Sequence, residues 1–208
     1  MSDAKRVRRK RKGAYHHGDL HDAIVAAATA EVTRAGPHAL TIRRVAERVG
    51  VTHAAVYHHF ADRTAMITAV ARQAFLELGA EMDHAAEGAK APLERYGRLG
   101  LAYTRYALRH PALYAVMFGP EAIATEPDLA RAADAVFVRI RDAIVECQRS
   151  GAIAAGSPEQ HTVFCWSVVH GFASLAIDRQ LGRVASTLPA IDELAEMIVA
   201  RVLTGLRK

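Results

Sequence analysis

Residues 41–59 read Thr-Ile-Arg-Arg-Val-Ala-Glu-Arg-Val-Gly-Val-Thr-His-Ala-Ala-Val-Tyr-His-His, and their types and spacing suit hydrogen bonding to a polyanion. Ile42, Val45, Ala46 and Val49 recur at i, i+3, i+4 and i+7, the stripe of a helix with one buried face. Arg43, Arg44, Glu47 and Arg48 point away from that stripe. Gly50 can end the helix at positive φ, and Thr52 can cap a second helix over about His53 to His59. Val56 and Phe60 supply the buried side of that second helix, which leaves His53, Ala54, Tyr57 and His58 outward. A small residue at the crossing (Ala46), a glycine at the turn (Gly50) and an apolar residue after it (Val51) satisfy a helix–turn–helix. The N-terminal end of the second helix is the part that reaches base edges in such a unit, and free N–H groups beside Thr52 can bind phosphate. An ordinary helical hairpin inside an all-α enzyme or small-molecule-binding protein is the alternative, with the motif then incidental.

Other constellations are weaker. Tyr103, Tyr106, Met117, Phe118, Phe137, Trp166 and His170 could line an apolar small-molecule pocket, with His170 giving one directed hydrogen bond. Aromatics at helical spacing equally describe core. His17 and His21 are spaced i, i+4 like a helical metal pair, but no zinc motif accompanies them, and no metal or cofactor is expected. No glycine-rich phosphate loop, nucleophile elbow or paired catalytic carboxylates point to an enzyme. Cys147 and Cys165 both fall in apolar stripes, which predicts buried, inert thiols.

The elements that must carry these residues are helices. Apolar residues make up 51% of the 208 residues but aromatics only 6%, an alanine-rich mix that favours helix over strand. The helix predicted before the motif runs from Asp19, as cap, to Ala35, with Ile24, Ala28 and Val32 inward. After it, Asp62 caps a helix whose stripe includes Ile67, Val70, Ala74 and Leu78. Further helices are predicted over Pro92–Arg109, Pro111–Phe118, Pro127–Gly151, Pro158–Gln180 and Pro189–Leu206. In the penultimate one, Val163, Trp166, His170, Ala173 and Ile177 form one apolar face, and Phe164, Val168, Gly171 and Leu175 another. A helix apolar on several sides is buried on several sides, which predicts a homodimer.

Charge is segregated. Residues 1–63 hold twelve Lys and Arg against six Asp and Glu, and the remainder fifteen against sixteen. The excess includes a block at residues 5–12, so residues 1–18 read as a basic, flexible arm. A basic end on a neutral body is the footprint of nucleic-acid binding. No apolar run is long enough to span a membrane, and the basic N-terminus is not followed by a secretory h-region, so a cytoplasmic location is expected.

At residues 40–70 the sequence resembles the DNA-binding domain of the tetracycline-repressor (TetR) family of bacterial transcription regulators. The resemblance rests on Leu40-Thr41-Ile42, Val45-Ala46, Val49-Gly50-Val51-Thr52 and Val56-Tyr57-His58-His59-Phe60-Ala61-Asp62-Arg63, with Tyr57-x-x-Phe60 the most diagnostic. Tyr15 to Leu20 resembles the entry to the first helix in one branch of the family. Trp166-Ser167-Val168-Val169-His170-Gly171 resembles a C-terminal domain type named for its Trp, His and Gly.

The resemblance implies an all-α chain: a helix–turn–helix DNA-binding domain over residues 19–63 and a helical ligand-binding and dimerisation domain over 64–208. It implies a regulator, most simply a repressor, that leaves a near-palindromic operator on binding a small, largely apolar effector. Thr41 and Tyr57 are implied to touch phosphate, Thr52, His53 and Ala54 to face bases or phosphates, and His58 to lie at the groove edge. Arg43 and Arg44 add charge to that face, and Arg63 is implied to hold the DNA backbone. Many relatives carry lysine and then glutamate where this chain has Arg63 and Thr64. If the arm follows phosphates, deleting residues 1–12 will flatten the dependence of log K on log salt by roughly 0.9 for each phosphate no longer neutralised. Titrations at several salt concentrations check this, and an unchanged slope would leave the arm without a role.

Overall fold

The computed structural model describes residues 17–121, 126–183 and 187–206. Among these, the chain forms helices α1 (His17–Ala35), α2 (Ile42–Val49), α3 (His53–Tyr57), α4 (Arg63–Ala86), α5 (Pro92–Arg109), α6 (Pro111–Phe118), α7 (Pro127–Arg149), α8 (Pro158–Ile177) and α9 (Ile191–Gly205), and no strand. Single 3-10 turns lie at Pro37–Ala39 and Leu181–Arg183. Among the described residues, no helix is long and apolar enough to cross a membrane. The basic block at residues 5–12 lies outside the described residues.

Local chemistry sets most boundaries. Thr41, Thr52, Asp62 and Ser157 each accept a hydrogen bond from the backbone N–H three residues on, at 2.8–3.2 Å. Each satisfies a donor that the first helical turn leaves open. Gly50 stands at φ 79°, and Val51 N–H reaches back to the Ala46 carbonyl at 3.0 Å, which closes α2.

Several helix bounds differ from expectation, among them the end of α7 at Arg149 and the start of α9 at Ile191. The first helix starts at His17, so Asp19 lies inside it rather than capping it. The third ends at Tyr57, two residues early, because both His59 and Phe60 donate to the Val56 carbonyl and tighten the chain into a turn. The eighth stops at Ile177 rather than Gln180, because Arg179 adopts φ 56° and Gln180 N–H bonds the Leu175 carbonyl. That is the glycine-type stop made by another residue.

One large apolar core runs through the head and the body, beside a small second cluster of Phe172, Leu194 and Ala195. In the first three helices it contains Ile24, Val32, Val45, Val56 and then Phe60, and α4 continues it through Ile67, Val70, Ala74 and Leu78. α4 packs on α1 at one end and on α5, α6 and α7 along its length. The facing of α8 departs from expectation. Val163 is 60% exposed, and the inward side is Cys165, Val169, Phe172 and Ala173. Phe164 and Leu175 are exposed as well. With apolar residues on both flanks, periodicity alone does not say which flank faces in. Cys147 and Cys165 are buried free thiols, and burial pushes the Cys147 pKa up to about 11.

Replacing Gly50 by Ala forces a Cβ into the left-handed region and will cost about 1 kcal/mol. Urea denaturation checks this. A stability equal to the parent's would mean that the turn does not depend on that conformation.

Candidate nucleic-acid interface and body pocket

The helix–turn–helix presents one polar flank to solvent. Thr41, Thr52, His53, Ala54, Tyr57 and His58 are all exposed, with Tyr57 at 55%. Val56 on the opposite side is fully buried. The Oγ1 atoms of Thr41 and Thr52 already accept backbone hydrogen bonds, which leaves their hydroxyl protons to donate outward. The ring of His21 on α1 stacks on Phe60 at 5.0 Å, bracing the residues after α3.

The arginines are not equivalent. Arg43 pairs with Glu47 across one turn at 2.8 Å, both exposed. Such a pair contributes little, so a phosphate can displace it readily. Arg44 is held differently. It lies 3.1 Å from the buried carboxylate of Glu31 on α1, which also takes Arg34 at 2.5 Å and Arg48 at 3.7 Å. Glu31 therefore clamps α2 to α1, a role that sequence reading misses. Its only local trace is Arg34 three residues on. The hydrogen bond from Arg34, reinforced by Arg44, holds the Glu31 carboxyl below the usual glutamate range. Arg63 is likewise turned inward: it donates to the carbonyls of Pro37 (2.7 Å) and Leu40 (3.1 Å) and pairs with Glu121 (3.0 Å).

In the body, five of the seven residues expected around a pocket gather with Tyr103. Trp166 stacks edge-on against Phe137 at 5.0 Å and lies 5.1 Å from the His170 ring. Phe118 meets His170 at 4.8 Å. Phe118, Phe137, Met117 and Trp166 line a cleft of about 280 Å³ between α4, α6, α7 and α8, which Phe75 helps to close. That is just under the common range for ligand pockets, roughly 300–1,000 Å³. Tyr106 is not brought to this group. Its ring lies against His110, and its hydroxyl faces Glu77.

A hydrogen-bonded chain runs behind the cleft. Trp166 Nε1–H donates to Tyr103 Oη at 3.1 Å. Tyr103 Oη is 3.0 Å from Tyr114 Oη, and Tyr114 Oη is 2.6 Å from His170 Nδ1. Indole only donates, so the simplest ordering passes each hydroxyl proton onward and makes His170 Nδ1 the final acceptor. Burial lowers the His170 pKa, in keeping with a neutral ring that carries its proton on Nε2. Burial also pushes the Tyr114 hydroxyl up to about 12 and Tyr103 further. Sequence reading misses Tyr114, whose apolar neighbours in α6 disguise a polar contact.

The arrangement, an exposed polar helix on a small helical head joined to a helical body with an aromatic cleft, defines a DNA-binding regulator of the helix–turn–helix class. Comparison with known proteins agrees. Residues 24–70 match the family model for bacterial regulatory proteins of the tetR family, and residues 97–202 match that for the tetracyclin repressor-like C-terminal domain. The chain belongs to the TetR family, and it is a DNA-binding transcriptional regulator. Among solved structures, it is similar to a protein of unknown function from Rhodococcus sp. RHA1 (30% identity, 95% of this chain and 100% of the other, TM-score 0.81). It also shares its fold with the TetR family regulator PfmR from Thermus thermophilus (19% identity, 89% and 99%, TM-score 0.64). A third is the ketosteroid transcriptional regulator KstR2 of Mycobacterium tuberculosis (20% identity, 91% and 95%, TM-score 0.61). No curated protein matches the sequence.

Replacing Glu31 by Gln removes the acceptor charge of three arginines and will lower the melting temperature near neutral pH. The sign follows from the depressed pKa: the contribution is present above about 4.3, the unfolded value, and is lost as pH falls through the lower folded value. The gap in melting temperature between parent and variant should therefore shrink on acidification. A gap that stays constant with pH would exclude the ionised carboxylate as its source.

Proposed function

We propose that this regulator is a repressor that binds a near-palindromic operator as a homodimer and leaves it when a small, largely apolar effector enters the body. The division of labour is a head over residues 19–63 and a body over 64–208. One observation supports the DNA contact above all: Tyr57 is 55% exposed on a helix whose inward residue, Val56, is fully buried. An exposed phenol next to His53, Ala54 and His58 has no role in the core, and it offers a hydroxyl to a phosphate. Thr41, Thr52 and Arg43 complete the contact face. Arg44 and Arg63 contribute by holding that face in place, and each reaches phosphate only by leaving an internal partner.

Dimerisation is supported by the apolar residues left exposed on α8 and α9, namely Val163, Phe164, Leu175, Ile191 and Met197. Two-fold symmetry then places two copies of α3 on successive major grooves, about 34–36 Å apart. The cleft beside Trp166 is the effector site of this reading, with His170 as its polar anchor. The protein acts in the cytoplasm by binding rather than by catalysis.

Selection from random duplexes with the full chain tests the proposal. Recovery of an inverted repeat with half-sites one helical turn apart is the expected outcome, and recovery of no preferred sequence would overturn it. On the selected duplex, Tyr57→Phe will weaken binding by about 1 kcal/mol, the net value of one hydrogen bond. Anisotropy titration measures this, and undiminished affinity would take the Tyr57 hydroxyl out of the interface.

A further inference from the structure

Among the described residues, every ion pair that joins residues 19–63 to the rest of the chain ends on one carboxylate, that of Glu121. Its Oε2 lies 3.0 Å from Arg63 Nη2, and its Oε1 lies 3.6 Å from His38 Nδ1. Arg63 opens α4 and also donates to the Pro37 and Leu40 carbonyls. One acid and one guanidinium thus gather the residues after α6, the connector between α1 and α2, and the start of α4. Both side chains are about one-third exposed, at 35% and 33%. Partial burial screens the pair less than it would a surface pair.

The same carboxylate lies close to the body cleft. The α6 wall of that cleft is Met117, Phe118 and Gly119, and Glu121 follows Gly119 by two residues. Two residues of chain span at most about 7 Å. The link is also tight, because a Cβ on Gly119 would stand 2.4 Å from the Ala115 carbonyl oxygen. A molecule that displaces the α6 wall therefore moves the carboxylate with it.

We propose that Glu121 is the positioning residue through which occupancy of the α4–α6–α7–α8 cleft reaches the DNA-binding head. It does so by holding or releasing Arg63 and the Pro37–Leu40 connector. The proposal rests on the reading that the cleft is the effector site. With Glu121 withdrawn, Arg63 keeps only the Pro37 and Leu40 carbonyls as acceptors, so the guanidinium that fixes the connector is held less firmly and the seat of α2 loosens. A DNA phosphate and Glu121 also become rival acceptors for the same guanidinium.

The test needs neither operator nor effector. Ala133 lines the cleft, so Ala133→Phe fills it from the α7 side. Trp166 is the chain's single tryptophan, and its emission reports that filling. Amide hydrogen exchange is followed at residues 38–41 in the full chain, in Ala133→Phe, in Glu121→Gln and in the double variant. In the parent background, filling should shift Trp166 emission and speed exchange of the connector by roughly fivefold or more. Glu121→Gln alone should speed exchange comparably, and filling should then add nothing. Equal effects of filling in both backgrounds would overturn the proposal. So would connector exchange unmoved by either change. If Ala133→Phe loses helical circular dichroism, Ala130→Leu fills the same cleft with less bulk. Failure of the duplex selection would count against the operator reading while leaving this exchange result interpretable by itself.

Discussion

A helix of five residues cannot hold itself together in water. Isolated helices shorter than roughly 12–15 residues are marginal even with good formers, and α3 spans only His53–Tyr57. Its shape is imposed from outside. Thr52 closes its first turn, Val56 and Phe60 are drawn into the core, and the turn at Gly50 sets its direction out of α2. Because the buried side is fixed so firmly, the other side must be solvent-facing, and its residues are free to be chosen for contact rather than packing. The rest of the head follows from that constraint. α1 supplies Ile24, Ala28 and Val32 as a floor, and α4 supplies Met66, Ile67 and Val70.

The second requirement is that the arginines of the head be held in defined places. Residues 17–63 carry five arginines against five acids, so the head is held by how these charges pair rather than by a net excess. Glu31 takes three of the arginines, Glu47 takes Arg43, and Glu121 takes Arg63. The acids divide the arginines by function. The exposed Arg43–Glu47 pair is easily exchanged for a phosphate, whereas the clusters at Glu31 and Glu121 tie elements together.

What can be read from the sequence follows the range of each interaction. Caps at Thr52 and Asp62 are made within three residues, and both stand where the sequence places them. The bounds of α5 and α6 are also as expected, because Pro92, Pro111 and the breaks after Arg109 and Phe118 are local signals. The stripe of α4 is legible because its inward positions contrast with polar neighbours. On α8 that contrast is missing, so periodicity leaves the inward flank open, and only packing against α5, α7 and α9 decides the orientation. The clamps at Glu31 and Glu121 are illegible for another reason. Glu31 meets Arg44 across thirteen residues and Glu121 meets Arg63 across fifty-eight, and nothing in the intervening sequence encodes those meetings.

The body follows the same logic with opposite polarity. Its aromatic side chains are too polar at their tips to be buried without partners, so their hydrogen bonds must be closed among themselves. Trp166 can only donate, and that fact propagates through Tyr103 and Tyr114 to His170. Tyr103 and Tyr114 stay protonated at any physiological pH, so the chain has no charge of its own to offer a ligand. A molecule entering beside Trp166 would meet aromatic faces and the Met117 thioether rather than an ion pair.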